Sequence, residues 1–526
     1  MYWADVTANK LLRNRKEDKY VIATGITPSG HIHIGNARET LTADAIYKSL
    51  KDLGVEAELI FIADTYDPLR KRYPFLPESY EEYVGVPLSE IPCPEGCCEN
   101  YAEHFLKPYL ESLDDLGIEI KVYRADKLYK EGVYNEKIRL ALDNREKIIE
   151  ILNKFRDKPL ENDWWPVNVV CEKCKSLKTK ILSYENEKLK YKCEKCGYEG
   201  ESSFYNGRAK LKWRVDWPAR WSIFNVSLEP MGKDHAAAGG SYDTGKLIAK
   251  DIYNYEAPFK VVYEWIQLKV GDKAVPMSSS KGVVFAVKDW TDIAHPEILR
   301  FLILRSKPNK HIDFDLKKIP DLVDEYDRLE EFYFENKDKE LDEDGKEKIR
   351  IYEISTPKIP EKKPFVIPYR FCSIIGQLAY KDGDIDMEKV FEILKRNNYN
   401  IEEIDDFSLR RLKDRLIMAR NWALNYGEKL VIIDEEEAKN IYKSLKDKQK
   451  EFIKRFYERL KEINFDALTI HETIYEVAKE VGINVRDAFQ ACYLILLNKK
   501  YGPRLGAFLA SLGKDFVLKR FGCLDD

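Results

Sequence analysis

The sequence predicts an α/β domain built on a parallel sheet, divided by a metal-binding insertion and followed by an all-α domain. Three observations carry that prediction. A strand–turn–helix–strand unit opens the chain, seven of the ten cysteines lie in two tight clusters, and helical apolar spacing without strand alternation fills the last 150 or so residues.

In the opening unit, Val21-Ile22-Ala23-Thr24 is a short β-branched run that reads as a buried strand, and Gly25 to Gly30 form a tight turn. Asn36 then precedes a segment in which Leu41, Ala45, Leu50 and Leu53 recur on one helical face, with Gly54 where a C′ glycine belongs. His31 and His33 project to the same side of an extended approach to that helix, while Gly30 and Gly35 let a ligand come close to the backbone. Free N–H groups at a helix N-terminus, with imidazole donors beside them, suit phosphate oxygens. Taken alone, the two histidines fit an ordinary βα turn equally well. Glu58 to Ala63 is a second buried strand, ended by Asp64-Thr65-Tyr66-Asp67-Pro68. A strand–helix–strand crossover with short links implies a parallel sheet with its ligand crevice at the carboxyl ends, and Asp64 is expected to point into it.

At 526 residues the chain exceeds one core, and its 44% apolar and 34% charged content suits several soluble globular domains. The N-terminus has no apolar leader and no later stretch approaches a membrane span, so a cytoplasmic protein without a membrane partner is expected. A net charge of −4 gives no global argument for a nucleic-acid partner. From residue 441 onward there are 16 Lys and Arg against 12 Asp and Glu, a surplus that a solvated helical face explains as simply as a phosphate-facing surface does.

Between about residues 87 and 205, cysteine-bearing turns interrupt the α/β pattern. Cys93, Cys97, Cys98 and His104 can close a tetrahedral zinc shell; buried thiols and a surface histidine are the alternative. The second cluster, Cys171-x2-Cys174 and Cys193-x2-Cys196, has zinc-ribbon spacing, with a hairpin expected between Lys178 and Tyr191. A redox role for each C-x-x-C pair is the rival reading. Four protein ligands fill the shell of zinc, so both sites are expected to be structural.

Further on, Lys212 to Trp221 places indoles four apart, but Pro218 argues against an unbroken helix through them. A strand is expected around Phe224 to Leu228, then a polar turn from Glu229 to His235, a helix from Ser241 to Tyr253 and a strand from Val261 to Ile266. Pro276-Met277-Ser278-Ser279-Ser280-Lys281-Gly282 is a hydroxyl-rich loop ending in a cation. The acid-rich stretch from Asp321 to Gly345 reads as a connecting helix, and prolines at 357, 360, 364 and 368 mark a linker. Beyond it, Leu409/Leu412/Leu416/Ala419/Ala423 and Phe452/Phe456/Leu460/Ile463 keep helical spacing in a bundle. Tyr501-Gly502-Pro503-Arg504-Leu505-Gly506 stands out near the end with no role that spacing can supply.

The string TPSGHIHIGN resembles the first signature of class I aminoacyl-tRNA synthetases in the form found in class I lysyl-tRNA synthetases, with Asn36 in place of the usual last histidine. The serine loop resembles the second signature, with Pro276 and Ser279 in place of its first two lysines, so the cation comes from Lys281 or Lys273. The resemblance implies a Rossmann-like catalytic domain in two parts, residues 1–86 and 206–312, split by a zinc-binding insertion at 87–205. Connecting helices and a linker at 313–368 and a helical anticodon-binding domain at 369–526 complete it. It implies that Pro28, Ser29, Gly30, His31, His33, Gly35, Asn36 and the Met277, Ser278, Ser279, Ser280, Lys281 loop bind ATP with Mg2+. Gly25, Thr27, Trp217, His235 and Tyr263 would bind L-lysine, with Asp216 or Asp64 as the carboxylate for its ammonium. Two structural Zn2+ ions, tRNA(Lys) as partner and a monomeric state complete the expectation. A synthetase of the same class for glutamate and a non-catalytic zinc-ribbon RNA-binding protein are the rivals; a glutamate pocket needs arginine where a lysine pocket needs carboxylate and aromatic faces.

Overall fold

The computed structural model describes residues 1–270, 273–276, 285–402 and 404–524, so the expected loop Met277 to Lys281 lies outside the described residues. The chain forms two compact units: Met1–Thr291 with Pro296–Leu316 and Arg328–Glu361, and Lys362–Asp526 with Asp292–His295 and Lys317–Asp327.

The first unit is organised by a parallel five-stranded sheet of β1 (Tyr20–Ile26), β2 (Ala57–Ala63), β3 (Lys121–Arg124), β4 (Val226–Gly232) and β5 (Phe259–Tyr263), in the order β5-β4-β1-β2-β3. β1 pairs with β2 from Tyr20↔Ala57 to Ile26↔Ala63, and both are buried along most of their length, as strands covered on two faces must be. The order reverses at β1, so the carboxyl ends of β1 and its neighbours open a crevice there. Helix α1 (Ile34–Asp52) follows β1 and buries Ile34, Ala37, Leu41 and Ala45, while Leu53 lies beyond its end and is exposed. Helix α2 (Tyr101–Asp115) is capped by the Asn100 side chain, which accepts from the Glu103 N–H at 3.0 Å.

Three expectations need correction. Residues 87–205 are not wholly outside the sheet, because β3 lies among them and pairs with β2 from Ile60↔Lys121 to Ala63↔Arg124. Helix α3 (Trp213–Phe224) runs through Pro218. Trp213 stacks on Trp217 at 5.4 Å and Trp217 lies tilted against Trp221 at 4.9 Å, and this packing outweighs the hydrogen bond that the proline forgoes. The expected polar turn from Glu229 is instead buried strand β4, whose Glu229 carboxylate accepts both indole N–H groups, from Trp217 at 2.9 Å and Trp221 at 2.7 Å. A buried charge with partners on both oxygens need not end a strand. Helix α4 spans Ser241–Tyr253 as expected, ending at Asn254 in the left-handed region at φ 51°. Ile266–Val270 pairs with Lys273–Pro276 and Ile312–Phe314 in a separate small sheet.

The cysteine-bearing ribbon is a three-stranded antiparallel sheet of Thr179–Glu185, Lys188–Cys193 and Glu199–Ser203. In the second unit, helices from Tyr369–Leu378 to Lys514–Gly522 are interrupted by a two-residue hairpin, Tyr380–Lys381 with Asp384–Ile385. Phe452, Phe456, Leu460, Ile470 and Ile474 are fully buried in its core, each worth roughly 1.5–3 kcal/mol of transfer free energy. The acid-rich connector is two helices, Ile319–Asn336 and Glu343–Ser355. No helix among the described residues is long and apolar enough to cross a membrane.

Candidate active site and metal centres

The crevice is built around the turn that leaves β1. A Cβ at Gly25 would lie 2.5 Å from the Ile62 carbonyl oxygen, so only glycine lets β1 end against β2 in this way. The turn that follows holds buried Pro28 and Gly30, half-buried Ser29 and exposed His31. Helix α2 braces it, with the Tyr101 hydroxyl donating to the Ser29 carbonyl at 2.7 Å and Phe105 edge-on to His31 at 5.0 Å. His33 caps α1: its N–H donates to Asn36 Oδ1 at 3.2 Å, the role in which Asn36 serves where the related signature has histidine. Phe285, four residues beyond Lys281, returns to the same helix end, its carbonyl accepting the Ile34 N–H at 3.0 Å. His33 Nδ1 is buried without a hydrogen-bond partner, and burial pushes the imidazole down to about 4. His33 is therefore neutral near pH 7, and its Nδ1 is a buried, unpartnered polar atom at the N-terminal end of α1.

Beside this turn stand two sets of carboxylates. Glu39, on α1, accepts from the Gly25 N–H at 3.1 Å and from the Tyr263 hydroxyl at 2.6 Å. It lies deep in the fold and is only partly exposed, and burial pushes it up to about 8 against the pull of those hydrogen bonds. Glu229, held by the two indoles, is pushed up to about 7 by burial. The second set is closed. Arg220 bridges Asp64 at 2.6 Å and Asp216 at 2.7 Å, and Lys210 bridges Asp216 at 3.2 Å and Asp67 at 2.9 Å. The Tyr129 hydroxyl donates to Asp216, and Thr27 Oγ1 to Asp67 at 3.0 Å. Burial alone would raise Asp216, but Lys210 and Arg220 outweigh it and hold the carboxyl below its usual range.

The cysteine clusters fit a metal without rearrangement. Sγ of Cys93 and Cys97 are 3.7 Å apart, those of Cys97 and Cys98 3.5 Å, and His104 Nδ1 is 3.5 Å from Cys93 and 3.2 Å from Cys97. Cys171 to Cys196 and Cys174 to Cys193 are both 3.6 Å. A tetrahedron with ~2.3 Å zinc–sulfur bonds has edges of about 3.8 Å, so thiolates at these separations surround a zinc-sized hole. Matching knuckle turns, Lys175 N–H to Cys171 carbonyl and Gly197 N–H to Cys193 carbonyl, both at 2.9 Å, present the four ribbon thiols.

A family model described as tRNA synthetases class I (K) matches residues 1–358, and one described as an anticodon binding domain matches residues 386–523. The chain belongs to the class I (K) tRNA synthetase family. It is 74% identical over 530 residues to a lysine–tRNA ligase of Methanocaldococcus jannaschii, with 100% of each chain covered. A lysine–tRNA ligase of Methanococcus maripaludis is 58% identical and one of Archaeoglobus fulgidus 44% identical, each with 99% of both chains covered.

In this synthetase the structure brings together Gly25, Thr27 and Tyr263 at the crevice, each at or just beyond a carboxyl end of β1 or β5. His235, on the short helix Lys233–Ala236 after β4, is exposed with its ring 5.6 Å from Trp217. Trp217 itself is only 3% exposed, so most of its surface is core packing. Asp64 and Asp216, the expected partners of an ammonium, are consumed by Arg220. The open carboxylate is Glu39, which sequence reasoning missed. Its one sequence signal is an acid set between Ala37 and Leu41 on the buried side of α1, four residues from Gly35.

Proposed function

We propose that this synthetase attaches L-lysine to tRNA(Lys) through a lysyl-adenylate. Lysine carboxylate attacks the α-phosphorus of ATP, pyrophosphate leaves with Mg2+, and the terminal ribose hydroxyl of the tRNA then takes the lysyl group. No enzyme nucleophile is needed, so positioning and charge stabilisation suffice. The observation that carries the choice of lysine is Glu39, a partly exposed carboxylate held only by neutral donors. A cation arriving there relieves the cost of burying the charge, whereas glutamate would need a free guanidinium. Arg220 is already paired with two aspartates, and Arg38 donates to the Trp265 and Pro308 carbonyls at 3.1 and 2.9 Å. Gly25, Thr27, Tyr263 and His235 line the remainder of the lysine site, and the aromatic faces add roughly 0.5–2 kcal/mol each toward an ammonium.

The phosphate site comprises Pro28, Ser29, Gly30, His31, His33, Gly35 and Asn36, together with Met277, Ser278, Ser279, Ser280 and Lys281. His33 Nδ1 supplies a neutral hydrogen-bonding atom to the reacting phosphate. Charging assays with lysine, ornithine and glutamate test this reading: lysine alone should be attached at physiological concentration, and efficient glutamate charging would overturn it. Both cysteine clusters hold structural zinc, which supplies cross-linking rather than chemistry because each shell is filled by protein. Elemental analysis should find two zinc ions per chain; fewer than two removes one or both centres.

A further inference from the structure

The helical unit contains a cavity of about 500 Å3 whose lining includes Arg370, Trp422, Tyr426, Lys429, Lys499 and Tyr501. That volume lies in the range of small-ligand sites. Cations outnumber acids on it, with Glu428 as the acid on the lining beside Lys317, Arg370, Lys429 and Lys499. Two of the cations are held only in surface pairs, Arg370 with Asp321 at 2.8 Å and Lys499 with Glu428 at 3.6 Å, which a phosphate can displace at little cost.

Tyr501 gives the cavity its character. Its side chain belongs to a residue that is 70% exposed, yet its backbone is pinned. The preceding helix, Val485–Leu497, ends at Asn498 in the left-handed region at φ 52°. A Cβ at Gly502 would meet the Tyr493 ring at 2.9 Å, and the Tyr493 hydroxyl donates to the Pro503 carbonyl. An exposed aromatic on a loop held by these contacts, beside a cavity lined by Trp422 and several cations, combines a stacking face with phosphate contacts, the two elements that hold single-stranded RNA.

We propose that this cavity receives an unstacked base of the tRNA anticodon loop, with Tyr501 as the stacking face and Lys429 and Lys499 on the flanking phosphates. The proposal rests on the anticodon-binding reading of the helical unit and assigns its base-binding subsite. The test uses the full-length protein, with Tyr501→Ala and Tyr501→Phe, in lysylation of tRNA(Lys) transcripts that carry the native anticodon or a substitution at each anticodon base. Tyr501→Ala should raise the KM for native tRNA roughly tenfold or more while leaving kcat at saturating tRNA unchanged, and Tyr501→Phe should stay near wild type. At one anticodon position, the penalty for base substitution should shrink in Tyr501→Ala. An unchanged KM, or equal discrimination at every position, overturns the cavity assignment while leaving anticodon binding by this unit intact. Wild-type protein that charges every substituted transcript equally overturns both.

Discussion

Two clusters of buried polar groups lie side by side in the catalytic unit, and they differ in how completely they are satisfied. Around Arg220, the side chains of Asp64, Asp216, Lys210 and Asp67 answer one another in ion pairs of 2.6–3.2 Å. Around Glu39 and His33, one carboxylate has only neutral donors and one imidazole nitrogen has no partner. The difference separates scaffold from site. A closed network has no free valence for a substrate, however charged it is, whereas an open one carries a desolvation cost that a ligand can relieve.

The comparison can be broken most sharply at its closed side. Arg220→Met leaves Asp64 and Asp216 short of their shared cation, and removal of one partner from a buried ionic cluster costs about 3–5 kcal/mol. Chemical denaturation should show that loss, with lysine selectivity retained in whatever protein remains folded; a variant of wild-type stability would mean that the network is not scaffold. On the open side, His33→Ala should lower kcat for lysine-dependent ATP–pyrophosphate exchange, measured with tRNA present, by ~10²–10³-fold with little change in lysine KM. Near-normal exchange would make His33 only a helix cap.

Glu39→Gln should raise lysine KM by about 10- to 150-fold, the equivalent of ~1.5–3 kcal/mol for a charge-assisted hydrogen bond, with stability preserved or improved. The same group gives the most graded effect. Its carboxyl stands near 8 in the folded protein against an ordinary 4.5, so the free protein holds a proton that the unfolded chain lacks across that window. Stability of the free protein should therefore fall as pH rises from about 4.5 to about 8. Lysine binding, which requires the ionised form, should tighten as pH rises toward 8 and then level off. A lysine KM that is flat from pH 6.5 to 8.5 would place the ammonium elsewhere.

Much of the frame was legible in the chain. The strand–turn–helix unit from Val21, the ribbon spacing of Cys171 to Cys196 and the helix Ser241–Tyr253 depend on local rules, namely β-branched runs, knuckle spacing and apolar periodicity, and each stands where those rules place it. Two of the misreadings share one cause. Pro218 and Glu229 look like breakers when weighed alone, but they lie in α3 and β4, where stacked indoles and their two N–H groups compensate for each.

By itself the sequence determined the parallel α/β unit, the two metal-ligand sets, the helical second unit and the signature turn, because each is encoded in residues close together along the chain. Only the tertiary structure decided which acids are occupied. Asp64 and Arg220 are 156 positions apart, and Tyr263 and Glu39 are 224 apart. Whether a carboxylate meets a guanidinium or only a phenol and an amide is set by which strand ends converge, and residue spacing carries no record of that distance.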